Sequence, residues 1–134
     1  MSELLFALLL AAAPVGTLQI DATGFQGSSG HALARLYRPG QDVVREPWRT
    51  AKAAIVDGKA VLTFEGLEPG DYAVVVVHDV NDNGVIDHNV LHLPAEPLGF
   101  SNGFTLGLFS VKPTFDTLRF TVAGERTTVT VQVH

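Results

Sequence analysis

From Thr17 onward the apolar residues of this chain recur at every second position, and that period constrains the fold more than anything else. In TLQIDATG, Leu18, Ile20 and Ala22 alternate with Gln19, Asp21 and Thr23. Positions i and i+2 share a face only in an extended strand, so this is a half-buried β-strand. TLRFTV sets Leu118, Phe120 and Val122 against Thr117, Arg119 and Thr121, and TTVTVQV sets Val129, Val131 and Val133 against Thr128, Thr130 and Gln132. Both read as strands, with Gly124, Glu125 and Arg126 turning between them. HALARLYR (His31 to Arg38) is a further strand, and PGQDVVREPW a loop opened by Pro39-Gly40. TAKAAIV and KAVLTF flank Asp57-Gly58, a pair that accepts the positive φ of a two-residue hairpin turn. DYAVVVVHD is apolar on both faces, which predicts a central strand covered on each side.

No stretch beyond the N-terminus has a helical period. Roughly seven short strands separated by turns predict an all-β, antiparallel β-sandwich. The exception is His88 to Thr117, where Pro94, Pro97 and Pro113 interrupt any strand pattern. This span also carries Leu91, Leu93, Leu98, Phe100, Phe104, Leu106, Leu108, Phe109 and Phe115. So much apolar surface predicts one long but ordered loop, held down by something.

The first residues are of another kind. LLFALLLAAAPV (Leu4 to Val15) has the length of a signal-peptide apolar region and is too short to span a bilayer. Residues 1–16 are expected to be a cleaved signal, and 17–134 a single domain without a membrane span. Export without cysteines is compatible with a bacterial periplasm or the cell exterior. The chain has no cysteine, which removes disulfides, thiolate metal sites and a lipoprotein anchor. Its net charge of −5 argues against nucleic-acid binding.

The charge is unevenly spread. No Lys or Arg lies between Lys59 and Lys112, while Glu65, Glu68, Asp71, Asp79, Asp82, Asp87 and Glu96 do. At the centre of this acidic interval stands HDVNDNGVIDHN, residues 78 to 89. Calcium takes hard oxygen ligands, and a calcium-binding loop supplies them at every second position around a glycine at position 6. Counted from Asp79, Asn81 and Asn83 fall at positions 3 and 5, Gly84 at 6, Val85 at 7 through its carbonyl, and Asp87 at 9. Position 12 is Val90, where a bidentate glutamate belongs. A carboxylate from elsewhere must complete the site, and Glu96 and Asp116 are the candidates, with Asp82 a weaker one that the count points outward. The predicted metal set is therefore Asp79, Asn81, Asn83, Val85, Asp87 and Glu96, with calcium as the cofactor. The plain alternative is a turn rich in Asp and Asn, whose side chains cap their own backbone.

FEGLEPGDYAVVV (Phe64 to Val76) resembles the aromatic-x-Gly-Leu-x-Pro-Gly-x-Tyr signature of transthyretin-like (prealbumin-like), Cna-B and carboxypeptidase-regulatory domains. Pro69-Gly70 makes the turn, and Phe64, Leu67 and Tyr72 are expected to pack around it. HDVNDNGVIDHN, PAEPLGFSN (Pro94 to Asn102) and PTFDTLRFTV (Pro113 to Val122) together resemble the DUF2141 family of exported bacterial proteins, in that family's order. The resemblance implies a secreted, mainly β domain with no assigned activity.

Other chemistry finds less support. GFSNG (Gly99 to Gly103) fits the G-x-S-x-G pattern, but a nucleophile elbow at Ser101 needs a strand before it, a helix after it and an α/β sheet beneath. His78, His88 and His92 raise a transition-metal site, yet His78 can equally end a strand face. No pair of carboxylates with a defined general acid is evident. Phe100, Phe104, Phe109, Tyr37 and Trp48 could form a platform for a carbohydrate or an envelope protein, or the phenylalanines could be core. The expectation is a non-catalytic, calcium-stabilised module with a binding or envelope-associated role. A carbohydrate- or peptide-binding protein using the aromatic loop, and an unrecognised enzyme, remain the alternatives.

Overall fold

A computed structural model describes residues 14–83, 96–107 and 111–134. Two β-sheets pack face to face. β1 (Gly16–Thr23) buries alternate residues along its whole length, as its sequence requires. It lies between β4 (Ala60–Leu67) and β8 (Arg126–Gln132) in a three-stranded sheet. The larger sheet runs β3 (Arg49–Ala53), β2 (His31–Tyr37), β5 (Gly70–Asp79) and β6 (Leu98–Phe100). β7 (Phe120–Val122) pairs with the opening residues of β5.

The main core fills the space between the sheets. Leu18, Ile20, Leu36, Leu62, Phe64, Val74, Val76 and Val131 are all buried there. A second core lies on the outer face of the larger sheet, where Leu33, Tyr37, Val75 and Val77 meet Val43, Phe100 and Leu118. β5 is therefore buried on both faces from Tyr72 to Asp79, as its unbroken apolar run predicts. The described part of the long connection supplies Leu98, Phe100, Phe104 and Phe115 to this second core. It is held by ordinary apolar burial and by strand pairing, because Leu98–Phe100 is a strand that the prolines hid from pattern reading.

Three local expectations change. Asp57 and Gly58 do adopt positive φ, 52° and 75°, but β3 and β4 do not pair as a hairpin. One bridge, Val56 with Lys59, closes the turn; β3 then pairs with β2 and β4 with β1, in different sheets. Turn chemistry acts over four residues, whereas the choice of sheet depends on which apolar faces the strands can bury. The strand read over Thr117–Val122 begins later than expected. Phe115–Leu118 form one helical turn, α1, capped by Thr114, whose hydroxyl accepts the Thr117 N–H while Thr117 reciprocates. Finally, β1 and β8 run parallel, so the sandwich is not wholly antiparallel. β8 reaches β1 after a change of sheet, past Glu125, whose carbonyl accepts the Thr17 N–H at 2.9 Å. A strand arriving that way is free of the hairpin constraint that forces antiparallel pairing.

The Pro69-Gly70 corner forms as expected. Phe64, Leu67 and Tyr72 are buried around it, and the Tyr72 hydroxyl donates to the Glu68 carbonyl at 2.7 Å.

Candidate functional site

β5 carries its apolar run to Asp79, the last residue of the strand, and leaves that carboxylate fully buried. The chain then folds back over it. Asp79 Oδ1 accepts the Asn83 N–H at 3.1 Å, and its carbonyl accepts the Asp82 N–H at 3.2 Å. These are the bonds of an Asx-type turn, which organises the backbone by a short side chain.

Glu96 reaches the same place from the other side of the sequence. β6 pairs with β5 in the register Val75↔Phe100, Val76↔Gly99 and Val77↔Leu98, and His78 N–H donates to the Pro97 carbonyl at 3.0 Å. The partner numbers sum to 175 at each step, so the register carried on sets Glu96 across from Asp79. Glu96 is buried, and its Oε2 accepts the Val80 N–H at 2.7 Å. Two carboxylates from distant parts of the chain thus converge on one turn, inside the protein. A buried carboxylate costs free energy to desolvate unless hydrogen bonds or a cation offset it.

Of the two carboxylates the sequence offers to complete a metal site, the structure brings Glu96 to the turn and not Asp116. Asp116 lies in α1 with an exposed side chain, near Arg119 at 3.8 Å, and lines a groove with Asp71 at the opposite end of β5. Asn81 and Asn83 belong to the turn and are exposed. Val85 and Asp87 lie outside the described residues, as do His88, Val90, His92 and Phe109. Among the described residues, no group of three or more His, Asp or Glu side chains is gathered as a metal site.

Asp82 directs its carboxylate to β2 and β3. It takes a positive φ of 56°, and its Oδ1 lies 3.0 Å from Lys52 Nζ and 3.0 Å from His31 Nδ1. The hydrogen bond from Lys52, helped by His31, holds its carboxyl below the usual aspartate range. This carboxylate ties the turn to β2 and β3 and is already paired with Lys52.

The rival residues that the structure describes have structural roles. The Ser101 hydroxyl is completely buried; it donates to the Leu118 carbonyl at 2.6 Å and accepts the Val74 N–H at 3.0 Å. It fastens β5 to the residue at the end of α1, and no reagent reaches it as a nucleophile. His78 is buried edge-on to Phe25, and its Nε2–H donates to the Ser29 carbonyl at 2.9 Å. Tyr37 is not part of an exposed platform. It is fully buried, donates to the Arg45 carbonyl at 2.8 Å, accepts from Arg35 Nε at 3.0 Å, and burial raises its pKa. Phe100 and Phe104 pack edge to face in the second core. The outer core covers the larger sheet, so these rings fill space instead of displaying it.

Among the described aromatic residues Trp48 alone is exposed, and it belongs to a cluster that periodicity did not reveal. Trp48 stacks on Tyr72 with ring centres 6.2 Å apart, and the guanidinium carbons of Arg38 and Arg49 lie 4.6 and 5.3 Å from its ring centre. The sequence carried a weak signal in its basic bias, since Arg35, Arg38, Arg45, Arg49 and Lys52 are five of the nine Lys and Arg residues.

Among the described residues, no helix is long and apolar enough to cross a membrane. Comparison with known families finds one matching model, described as an uncharacterized protein conserved in bacteria (DUF2141), over residues 20–130. No curated protein and no solved structure matches the chain.

Proposed function

This chain belongs to the DUF2141 family of bacterial proteins, and from that premise we propose that it is an exported, non-catalytic sandwich module stabilised by calcium at the turn after β5. One observation carries the reading: β6 delivers the buried Glu96 carboxylate to the turn that also holds the buried Asp79 carboxylate. Asp79 and Glu96 supply hard, anionic oxygens, and Asn81, Asn83, the Val85 carbonyl and Asp87 would complete the oxygen set by the every-second-residue count. A divalent cation there offsets the desolvation of the two carboxylates and links β5 to β6 through its own bonds. Magnesium fits less well, because it retains its waters and demands a tight octahedron. The apolar segment Leu4 to Val15 supports export, and outside the cytoplasm millimolar calcium suffices for a site of about 10⁻⁴ to 10⁻³ M affinity. In that setting the module presents its surface to an envelope partner, and the metal serves stability.

The test is thermal unfolding of the whole chain in calcium, in magnesium and in chelator, for the native sequence and for E96Q. Calcium should raise the midpoint by a few degrees, magnesium should raise it less, and E96Q should abolish the calcium effect. An equal midpoint in all three conditions reduces Asp79 and Glu96 to caps of an Asx turn and removes the metal.

A further inference from the structure

We propose that the free edge of β3 is a docking site for an acidic segment of another protein, which adds to it as an extra strand. The inference rests on the cluster around Trp48 and is independent of the calcium reading.

β3 ends the larger sheet and is hydrogen-bonded to β2 alone. Among the described residues, no other segment forms a backbone hydrogen bond to Arg49–Ala53. Its outward N–H and C=O groups form a row that only another extended backbone matches in spacing. A sugar or a free anion cannot satisfy that row in series.

The head of the strand supplies the side-chain recognition. Trp48, immediately before β3, is 36% exposed, and it is the only tryptophan of the chain. Arg38 and Arg49 flank its ring, and neither makes an ion pair with a carboxylate among the described residues. Arg49 gives one N–H to the Glu65 carbonyl at 2.9 Å, which fixes its guanidinium in place across the seam to β4. Further donors remain on both guanidiniums. A guanidinium lying against an indole keeps its N–H edge outward, in the planar fork that receives a carboxylate. Asp42 is engaged by Arg45 and Lys112, while Glu68, whose carbonyl accepts the Tyr72 hydroxyl, makes no ion pair with either arginine among the described residues.

Charge also selects the occupant. Two copies meeting edge to edge would bring no carboxylate to Arg38 and Arg49, because RTAKA of β3 holds no acidic residue. An extended segment with acidic side chains supplies those carboxylates to Arg38 and Arg49. This is strand addition, with main-chain bonds for affinity and side chains for selection.

Trp48 makes the test direct, because all indole emission comes from this site. The full chain is titrated with a capped peptide of alternating Glu and Val, with the Lys/Val equivalent, with the Glu/Val peptide N-methylated at alternate residues, with an oligouronate and with inorganic phosphate. The Glu/Val peptide should change the emission saturably and weaken with added salt. The Lys/Val and N-methylated peptides should give no response. R38Q, at an exposed side chain, should weaken binding roughly tenfold with an unchanged melting midpoint. Any of three results overturns the proposal: no response to the Glu/Val peptide, a response that R38Q or N-methylation leaves intact, or a response to oligouronate or phosphate in place of the peptide.

Discussion

Glu96 accepts the Val80 N–H through Oε2 at 2.7 Å, and this bond closes the end of the β5–β6 pair. It joins the residue after β5 to the residue two before β6, beside the buried Asp79. Removing the charge of Glu96 while keeping its shape therefore separates two roles. E96Q retains an acceptor oxygen for Val80 and should fold. Its stability in chelator should match or exceed that of the native chain, because a buried charge is gone while the acceptor remains, and calcium should add nothing. Urea unfolding with and without calcium measures both effects.

Asp79→Ala should be the more damaging change. It strips the Asn83 N–H of its acceptor and opens a small void at a fully buried position. A loss of about 2 kcal/mol is expected even in chelator, readable as a lower urea midpoint.

Ser101→Ala should cost about 1 to 3 kcal/mol, because the Val74 N–H and the Leu118 carbonyl both lose their partner in the interior. A serine-directed fluorophosphonate should fail to label the native protein while it is folded. Labelling at Ser101 under native conditions would return the nucleophile reading of GFSNG.

Asp82 predicts an acid-side loss of stability. Its folded carboxyl titrates below the ordinary value of 3.8, chiefly through the hydrogen bond from Lys52 and then through His31. A depressed carboxyl contributes stability that is fully present above the unfolded value and is lost as pH falls through the folded one. The window therefore lies below about pH 4. Asp82→Asn should flatten the fall in melting midpoint across that window, and added salt should shrink the difference, since the group is largely exposed.

Gly99→Ala tests how the two sheets close on each other. A methyl group at Gly99 would stand 2.6 Å from the Gln132 carbonyl and 2.7 Å from Val131 Cγ1. β6 and β8 must then separate, at a cost of about 1 to 3 kcal/mol. The His134 N–H bond to the Leu98 carbonyl, 3.0 Å in the native chain, should exchange faster with solvent.

Much of the fold was legible because strand periodicity is local. The alternation around Leu18 and Ile20, the doubly apolar run of β5, the positive φ at Asp57-Gly58 and the Tyr72 corner each depend on neighbours a few residues away. Within the candidate site, the turn at Asp79 was readable for the same reason. The sequence alone could nominate Glu96 only alongside Asp116, since no local rule relates residue 79 to either.

The sequence by itself determined the class of structure, the position of the acidic turn and the family, because alternation, turn residues and motif order are properties of contiguous residues. Only the tertiary structure decided that β3 and β4 part into separate sheets, that β8 lies parallel to β1, and that Glu96 rather than Asp116 meets Asp79. It also decided that Tyr37 is hidden while Trp48 remains exposed between two arginines. These outcomes depend on which faces can be buried together and on the register β6 adopts against β5. Both are settled by contacts between residues far apart in the chain, whose pairing no local pattern encodes.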